Sequence, residues 1–69
     1  MKITKKGVAL APGTVVALKS GEFFTVKAVF REPDGICYRV QFIESKEKPY
    51  VLIGEPRIMW HYELVGAEV

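Results

Sequence analysis

The chain has 69 residues, of which 49% are hydrophobic and 26% are charged. This length supports one hydrophobic core but not two, and the composition is neither that of a disordered chain nor that of a fibrous one. Ten Lys and Arg against eight Asp and Glu leave a net charge of +2 with both signs interspersed, which is far from the footprint of a dedicated nucleic-acid binder. We therefore expect a single domain over residues 1–69, with a core over roughly residues 8–66.

The cellular setting is inferred from what the chain lacks. No apolar stretch follows the lysines of residues 1–6 as it would in a signal peptide, and no run of about 18 uncharged apolar residues is present. The lone cysteine, Cys37, fits a reducing compartment better than a secreted disulfide scaffold. We therefore expect a cytoplasmic protein without membrane contact. Because so small a domain is marginal alone and has no disulfide, we also expect it to self-associate.

The first half of the chain predicts a strand followed by a long hairpin. A Pro-Gly pair predicts a turn at residues 11–14, which leads into a short β-branched strand at residues 15–18. Residues 23–31 alternate between apolar and polar side chains and predict a long second strand. The sequence Glu-Pro-Asp-Gly at residues 32–35 then predicts a hairpin turn. The residues expected to share the core face of the second strand are Phe24, Val26, Ala28 and Phe30.

The second half predicts further short strands and a helical turn. Residues 36–43 continue the hairpin, and residues 50–53 form a short run of strongly β-forming residues. Residues 57–60 resume a strand, residues 61–64 predict one 3₁₀ or helical turn, and residues 66–69 predict a final short strand. On the third strand the face expected to meet the core carries Ile36, Tyr38, Val40 and Phe42.

These elements define the predicted fold class. Short strands at roughly 8 to 12 residue spacing, without a long helix, are typical of small barrels. We therefore predict an all-β fold, a small SH3-like barrel of about five antiparallel strands with a helical or 3₁₀ turn near residues 61–64. Closure of such a barrel removes exposed strand edges.

Two segments of the chain carry a family resemblance. Residues 13–21 follow the pattern Gly-x-x-Val-x-Leu-Lys-Ser-Gly and lead into Phe24-Thr25-Val26. The chain then ends in an aromatic and leucine-bearing segment, Trp-His-Tyr-Glu-Leu-Val, at residues 60–65. Both features resemble those of small uncharacterised bacterial proteins with SH3-like barrels. The resemblance implies the same fold.

The same opening is similar to that of the plasmid-borne type II dihydrofolate reductases. These are tetrameric SH3-like barrels whose pore is lined by a Val-Gln-Ile-Tyr strand. The comparable segment here reads Val-Leu-Ile-Gly at residues 51–54, so Leu52 replaces the glutamine and Gly54 replaces the tyrosine. The resemblance implies an oligomeric scaffold without the groups that hold folate and nicotinamide. An oligomeric reductase-like enzyme is therefore the third-ranked hypothesis.

Side chains suited to catalysis or metal binding are sparse. The single histidine, His61, lies 24 positions from the single cysteine, Cys37, and no third group is identifiable to orient them. The six glycines are dispersed at turns and strand boundaries, which is unlike a phosphate-binding loop. We therefore expect no metal, no cofactor and no catalytic residue, and we predict that the protein is not an enzyme.

An aromatic surplus is the first candidate binding surface. Phe23, Tyr50, Trp60 and Tyr62 cannot all enter a core this small beside the other aromatic residues, so some of them should stay partly exposed. Trp and Tyr are favoured as interface anchors. We therefore rank first a self-associating interaction module that holds a protein partner through these residues. The alternative is that Trp60 plugs the barrel while Tyr50 and Tyr62 lie on its rim.

A group of cations is the second candidate surface. Two of them are expected on the outward face of the second strand and a third on the matching face of its partner, where they would meet phosphates beside stacking aromatics. This predicts single-stranded nucleic-acid binding, ranked second. Three glutamates border the same region, so a solvated face of mixed charge is the alternative. The cations are Lys19, Lys27, Arg31 and Arg39.

Overall fold

Four antiparallel strands form one sheet in the computed structural model, which covers residues 1–69. In sheet order they are β1 (Val15–Ala17), β2 (Phe23–Glu32), β3 (Gly35–Ile43) and β4 (Arg57–Trp60). A 3₁₀ turn, His61–Leu64, follows β4 directly. The all-β prediction and the 3₁₀ turn at residues 61–64 are confirmed. No helix of the structure has the length and apolar character needed to cross a membrane.

The β2–β3 hairpin is the longest pairing in the sheet and closes where the sequence predicts. Glu32 pairs with Gly35, so Pro33 and Asp34 form the turn between them. Gly35 has φ 133°, a conformation that side chains other than glycine rarely adopt. The glycine is therefore required for this tight connection.

A β-bulge interrupts β2 at Lys27. The register runs Val26 opposite Val40 and then Ala28 opposite Arg39, so Lys27 has no partner on β3. An extra residue on one strand reverses the alternation of side chains beyond it, because the side-chain period in a strand is two. Every residue of β2 after Lys27 therefore faces the side opposite to the one that simple alternation predicts.

The bulge corrects part of the predicted core face. Phe24 and Val26, which precede it, are fully buried as expected. Beyond it, Val29 packs against the core, whereas Phe30 faces outward and is 39% exposed. The assignment of Ala28 and Phe30 to the core face was wrong, since strict alternation takes no account of an inserted residue.

The core lies on one face of the sheet and is closed by both chain ends. The predicted β3 face is confirmed, because Tyr38, Val40 and Phe42 are in the core cluster and Ile36 packs against it. Only 14 of 69 residues are buried, so each core side chain carries a large share of the stability. The cluster consists of Ile3, Leu10, Val16, Phe24, Val26, Tyr38, Val40, Phe42, Leu64 and Ala67.

The predicted strands at residues 50–53 and 66–69 are not formed as strands. Residues 50–53 contribute a single bridge, from Leu52 to Ile43, and residues 66–69 contribute only bridges through Glu68. Pro49 precedes this segment and Pro56 separates it from β4, and since neither supplies an N–H, a regular ladder is interrupted on both sides of residues 50–53. The sheet therefore has four strands rather than five.

The chain ends cover the free side of β1. Glu68 exchanges hydrogen bonds with Ala17, 2.8 and 2.9 Å long, and Ile3 N–H donates to Ala67 O at 2.8 Å. Lys2 also forms a bridge with Glu68. The edge of the sheet that pairs with no further segment is therefore the one formed by β4 and residues 51–53.

Candidate functional site

The outer face of the sheet, opposite the core, collects apolar side chains from β2, β3 and β4. Cys37 lies on this face of β3, with Phe30 as its partner on β2 and Trp60 as its partner on β4. Paired residues of neighbouring strands share a face. Cys37 is only 6% exposed, so this row is packed around a covered thiol, and the cysteine behaves as a small apolar residue.

Two more apolar residues lie along the same face near the free edge. Ile58 pairs with Arg39, and Leu52 bridges to Ile43. Arg39 and Ile43 share the outer face of β3 with Cys37, because they are separated from it by even numbers of residues. Ile58 and Leu52 are 55% and 60% exposed, so their side chains remain open to solvent.

The 3₁₀ turn adds an aromatic residue to this surface. Tyr62 stacks on Trp60 with ring centroids 6.1 Å apart and an interplanar angle of 22°, and Tyr62 is 65% exposed. We call the resulting surface the outer strip. It consists of Phe30, Leu52, Ile58, Trp60 and Tyr62, and Arg39 is the cation in its middle.

The structure brings together only half of the predicted aromatic patch. Trp60 and Tyr62 are adjacent, but Phe23 lies at the far end of the outer face, where Ile43 separates it from Leu52, about 20 Å along the strand from Phe30. Phe23 is partly buried there, whereas Leu52 is exposed. Tyr50 is 74% exposed in the connection between β3 and β4. Trp60 is partly buried on the outer face, so the alternative in which it plugs the interior is wrong.

Sequence reasoning missed three members of the outer strip. Phe30 was assigned to the core because nothing local marks the bulge, and Leu52 was placed in a regular strand. Ile58 lies in a four-residue strand, Arg-Ile-Met-Trp, whose sequence does not alternate between apolar and polar residues. The one signal that could have indicated Leu52 is the run of four consecutive apolar residues at 50–53, which is unusual for a loop.

The predicted basic face is divided by the bulge. Arg39 lies on the outer face, but Arg31 pairs with Ile36, which packs against the core, so these two arginines are on opposite faces of the sheet. Lys27 is the bulged residue itself, and Lys19 lies in the turn after β1. The expectation that Lys27, Arg31 and Arg39 share one face was wrong, for the same reason that misplaced Phe30.

A groove of about 470 Å³ lies at the end of the sheet away from the hairpin turn. Phe42, Ile43 and Ile53 form its apolar floor, and the Arg57 guanidinium lies 4.5 Å from the centroid of the Phe42 ring. This distance is within the range of a cation–π contact. The groove is further lined by three carboxylates, those of Glu22, Glu44 and Glu55.

One buried amide holds a wall of this groove in place. Gln41, 4% exposed, donates from Nε2 to the carbonyl oxygens of Phe42 at 3.0 Å, Ile53 at 3.3 Å and Gly54 at 3.0 Å. These bonds satisfy backbone groups of a segment that the β4 ladder does not reach. The position of Ile53 and Gly54 therefore depends on Gln41 rather than on regular sheet pairing.

His61 is engaged at both ring nitrogens. Its Nε2 lies 2.9 Å from the carbonyl oxygen of Thr4, which can only accept, so Nε2 carries the proton. Its Nδ1 therefore accepts from the Tyr38 hydroxyl at 2.7 Å, and the Tyr38 oxygen accepts from Leu10 N–H at 3.1 Å. The histidine is thus part of a closed structural network that ties the N-terminal segment to the sheet.

The surfaces of the chain are the features from which a function can be inferred. No group of three or more His, Cys, Asp or Glu side chains is placed to hold a metal ion. Comparison with protein-family models, curated proteins and solved structures finds no match for this chain. The two surfaces with distinct physical character are the outer strip and the groove over Phe42.

Proposed function

We propose that the protein is a non-enzymatic interaction module that self-associates through the outer strip. The observation that carries this proposal is the exposure of Phe30, Ile58 and Leu52, at 39%, 55% and 60%, on the same face as the stacked Trp60–Tyr62 pair. Apolar side chains grouped on one face of a monomer mark contact surfaces. Trp and Tyr in such a surface are typical anchors of binding energy.

The proposed fold is a small SH3-like barrel. Its support is the way the sheet continues past β1 through single bridges, from Ala17 to Glu68 and from Glu68 to Lys2. A sheet that rolls far enough to meet its own chain ends leaves few open edges. The outer strip is then the convex face of the roll, where a partner has access.

A stable dimer would bury a moderate share of the surface of this chain. A standard interface buries about 800 Å² on each partner, which is about one sixth of the 4647 Å² total surface of this chain. The outer strip contributes five large side chains to such an interface, and the residues around the strip would supply the rest.

A second copy of the chain is the proposed occupant. The strip carries no acidic residue and one cation, Arg39, so most of the surface that two copies would bury is apolar. Because its core is small, the monomer should be only marginally stable, and association would add stability. A further protein partner at the same aromatic residues would compete with this self-association.

Association is proposed to occur face to face rather than by strand addition. The N–H of Trp60 donates to Glu63 Oε1 at 2.8 Å, and Pro56, just before β4, has no N–H to offer. These two features leave the short β4 edge with few free donors, which is a common protection against edge pairing.

Solution mass tests the proposal. Light scattering across a dilution series should give a multiple of the 7.8 kDa chain mass that persists at high salt, because apolar contacts are strengthened or unchanged by salt. Ile58→Asp should shift the protein to monomer while leaving it folded. Val8→Asp is the matched control, since Val8 is 91% exposed and lies outside the strip. A wild-type protein that stays monomeric up to about 100 μM would contradict the proposal.

Single-stranded nucleic-acid binding is kept as a second candidate because Arg39 is exposed among Phe30, Ile58 and Trp60. An arginine beside accessible aromatic rings on a sheet is an arrangement that stacks bases and meets phosphates. A mixed-sequence oligonucleotide should then bind at low salt, weaken steeply as salt rises, and lose affinity with Arg39→Gln. Binding that resists salt, or none at low salt, would exclude it. The third hypothesis, a reductase, gains no support, since residues 51–54 do not form a strand.

A further inference from the structure

The groove over Phe42 combines an apolar floor with a charged rim. Its volume of about 470 Å³ falls within the roughly 300–1,000 Å³ typical of ligand pockets. Ile53 supplies an accessible apolar side chain, 54% exposed, whereas Phe42 is only 7% exposed and is covered by Arg57. An occupant therefore meets aliphatic surface at Ile53 and the guanidinium at Arg57.

The charge of the groove is opposite to that of the rest of the chain. Three of the eight acidic residues and one of the ten basic residues line it, so the groove is net −2. The other nine basic and five acidic residues make the remainder net +4. A cleft that is lined by charges of one sign and has apolar walls concentrates ligands of the opposite charge. The complementary occupant is cationic.

The lining carboxylates are only weakly engaged elsewhere. Glu44 pairs with Lys48 at 3.7 Å, with both side chains about half exposed, and such surface pairs are weak. Glu22 accepts a hydrogen bond from Ser20 Oγ at 2.9 Å, and Glu55 forms no hydrogen bond or salt bridge through its side chain. Glu22 and Glu55 therefore remain available to a cation.

The shape of the charge distribution favours an extended ligand over a metal ion. The three carboxylates are not grouped closely enough with each other to hold a metal ion, so they mark positions along the groove. Arg57 is stacked on Phe42 and makes no salt bridge. Its remaining N–H groups suit carbonyl oxygens, which a peptide backbone supplies and a simple amine does not.

We propose that this groove binds a peptide segment of a partner protein that carries a lysine or arginine beside an apolar residue. The apolar side chain packs on Ile53, the cation lies between Glu22 and Glu55, and a backbone carbonyl accepts from Arg57. None of these groove residues belongs to the outer strip, so the proposal does not depend on self-association.

The test is an NMR titration of the whole ¹⁵N-labelled protein with three capped peptides at low salt. The probes are acetyl-Leu-Lys-Leu-amide, acetyl-Leu-Gln-Leu-amide and acetyl-Leu-Glu-Leu-amide. The lysine peptide should shift the amides of Gly21, Gly54 and Glu55, and the glutamine peptide should bind about tenfold more weakly. Equal binding of all three peptides, tighter binding of the glutamate peptide, or shifts confined to other residues would overturn the proposal.

Matched variants separate the groove from general electrostatics. Glu22→Gln combined with Glu55→Gln should weaken the lysine peptide about five- to tenfold. Glu32→Gln combined with Asp34→Asn removes the same charge at the hairpin turn and should leave the affinity unchanged. Equal losses in the two double variants would show a non-specific charge effect and contradict the proposal.

Two further measurements complete the test. Butylammonium should bind far more weakly than the lysine peptide, and equal affinity would reduce the groove to a site for simple cations. Ile58→Asp, the variant designed to abolish self-association, should bind the lysine peptide as the wild type does. Loss of peptide binding in that monomeric, folded variant would place the peptide at the outer strip instead of the groove.

Discussion

The hydroxyl of Tyr38 lies 2.7 Å from Nδ1 of His61 inside the protein. This bond joins β3 to the 3₁₀ turn, and its neighbours extend the connection to the N-terminal segment through Leu10 N–H and the Thr4 carbonyl. All of these groups are satisfied only when the first ten residues lie against the sheet. A polar chain of three hydrogen bonds thus fixes a segment that has no regular secondary structure.

Removing the Tyr38 hydroxyl should test this arrangement. Tyr38→Phe leaves Leu10 N–H without its acceptor and His61 Nδ1 without its donor, so the free energy of unfolding should fall by about 1–3 kcal/mol. Urea denaturation measures the change, and hydrogen exchange should show faster exchange at Leu10. Tyr62→Phe is the control, because Tyr62 is 65% exposed, and it should change stability by less than about 0.5 kcal/mol. Equal stability of the two variants would contradict the structural role assigned to the network.

A pair of leucines should separate core packing from surface contact. Leu64 is fully buried, so Leu64→Ala should lower the free energy of unfolding by about 2–5 kcal/mol, which is comparable to the whole stability of so small a domain. Leu52 is 60% exposed, so Leu52→Ala should leave the monomer's stability nearly unchanged and weaken self-association. Thermal unfolding followed by circular dichroism, together with light scattering, measures both effects. The roles would be reversed if Leu52→Ala unfolded the chain more readily than Leu64→Ala.

Deleting the bulged residue should be better tolerated than deleting a paired residue of β2. Without Lys27 the strand runs directly from Val26 to Ala28, so Ala28, Val29 and Phe30 keep their partners on β3 and their present faces. Deletion of Lys27 should therefore lower the denaturation midpoint only modestly, whereas deletion of Val29 should lower it strongly, because it moves Phe30 to the core face. Equal losses of stability in the two deletion variants would contradict the assignment of Lys27 as the inserted residue.

The amide of Gln41 should control the mobility of the groove wall. Gln41→Leu removes the donor to the carbonyls of Ile53 and Gly54, which leaves these acceptors without their partner and loosens residues 53–56. Hydrogen exchange and limited proteolysis should show greater opening in this segment, with a stability loss of about 1–3 kcal/mol. Unchanged protection of residues 53–56 would mean that the wall is held by other contacts.

Some residues of the outer strip could be predicted from the sequence alone, and others could not. Trp60 and Tyr62 could be predicted as exposed aromatics because a small core has no room for them. Phe30 and Leu52 could not, because their exposure depends on the bulge and on the failure of residues 50–53 to form a ladder. Ile58 reaches the strip only through its pairing with Arg39.

The sequence by itself determined the all-β class, the β2–β3 hairpin with its Pro-Asp turn, the start of β1 and the 3₁₀ turn at residues 61–64. These features follow from local signals, namely β-branched runs, proline and glycine positions, and short-range alternation. Only the tertiary structure decided which face each residue beyond Lys27 occupies, how the chain ends cover β1, and how Gln41 closes the groove. The physical reason is that cross-strand register and the satisfaction of buried polar groups join residues far apart in the chain, and no local pattern records them.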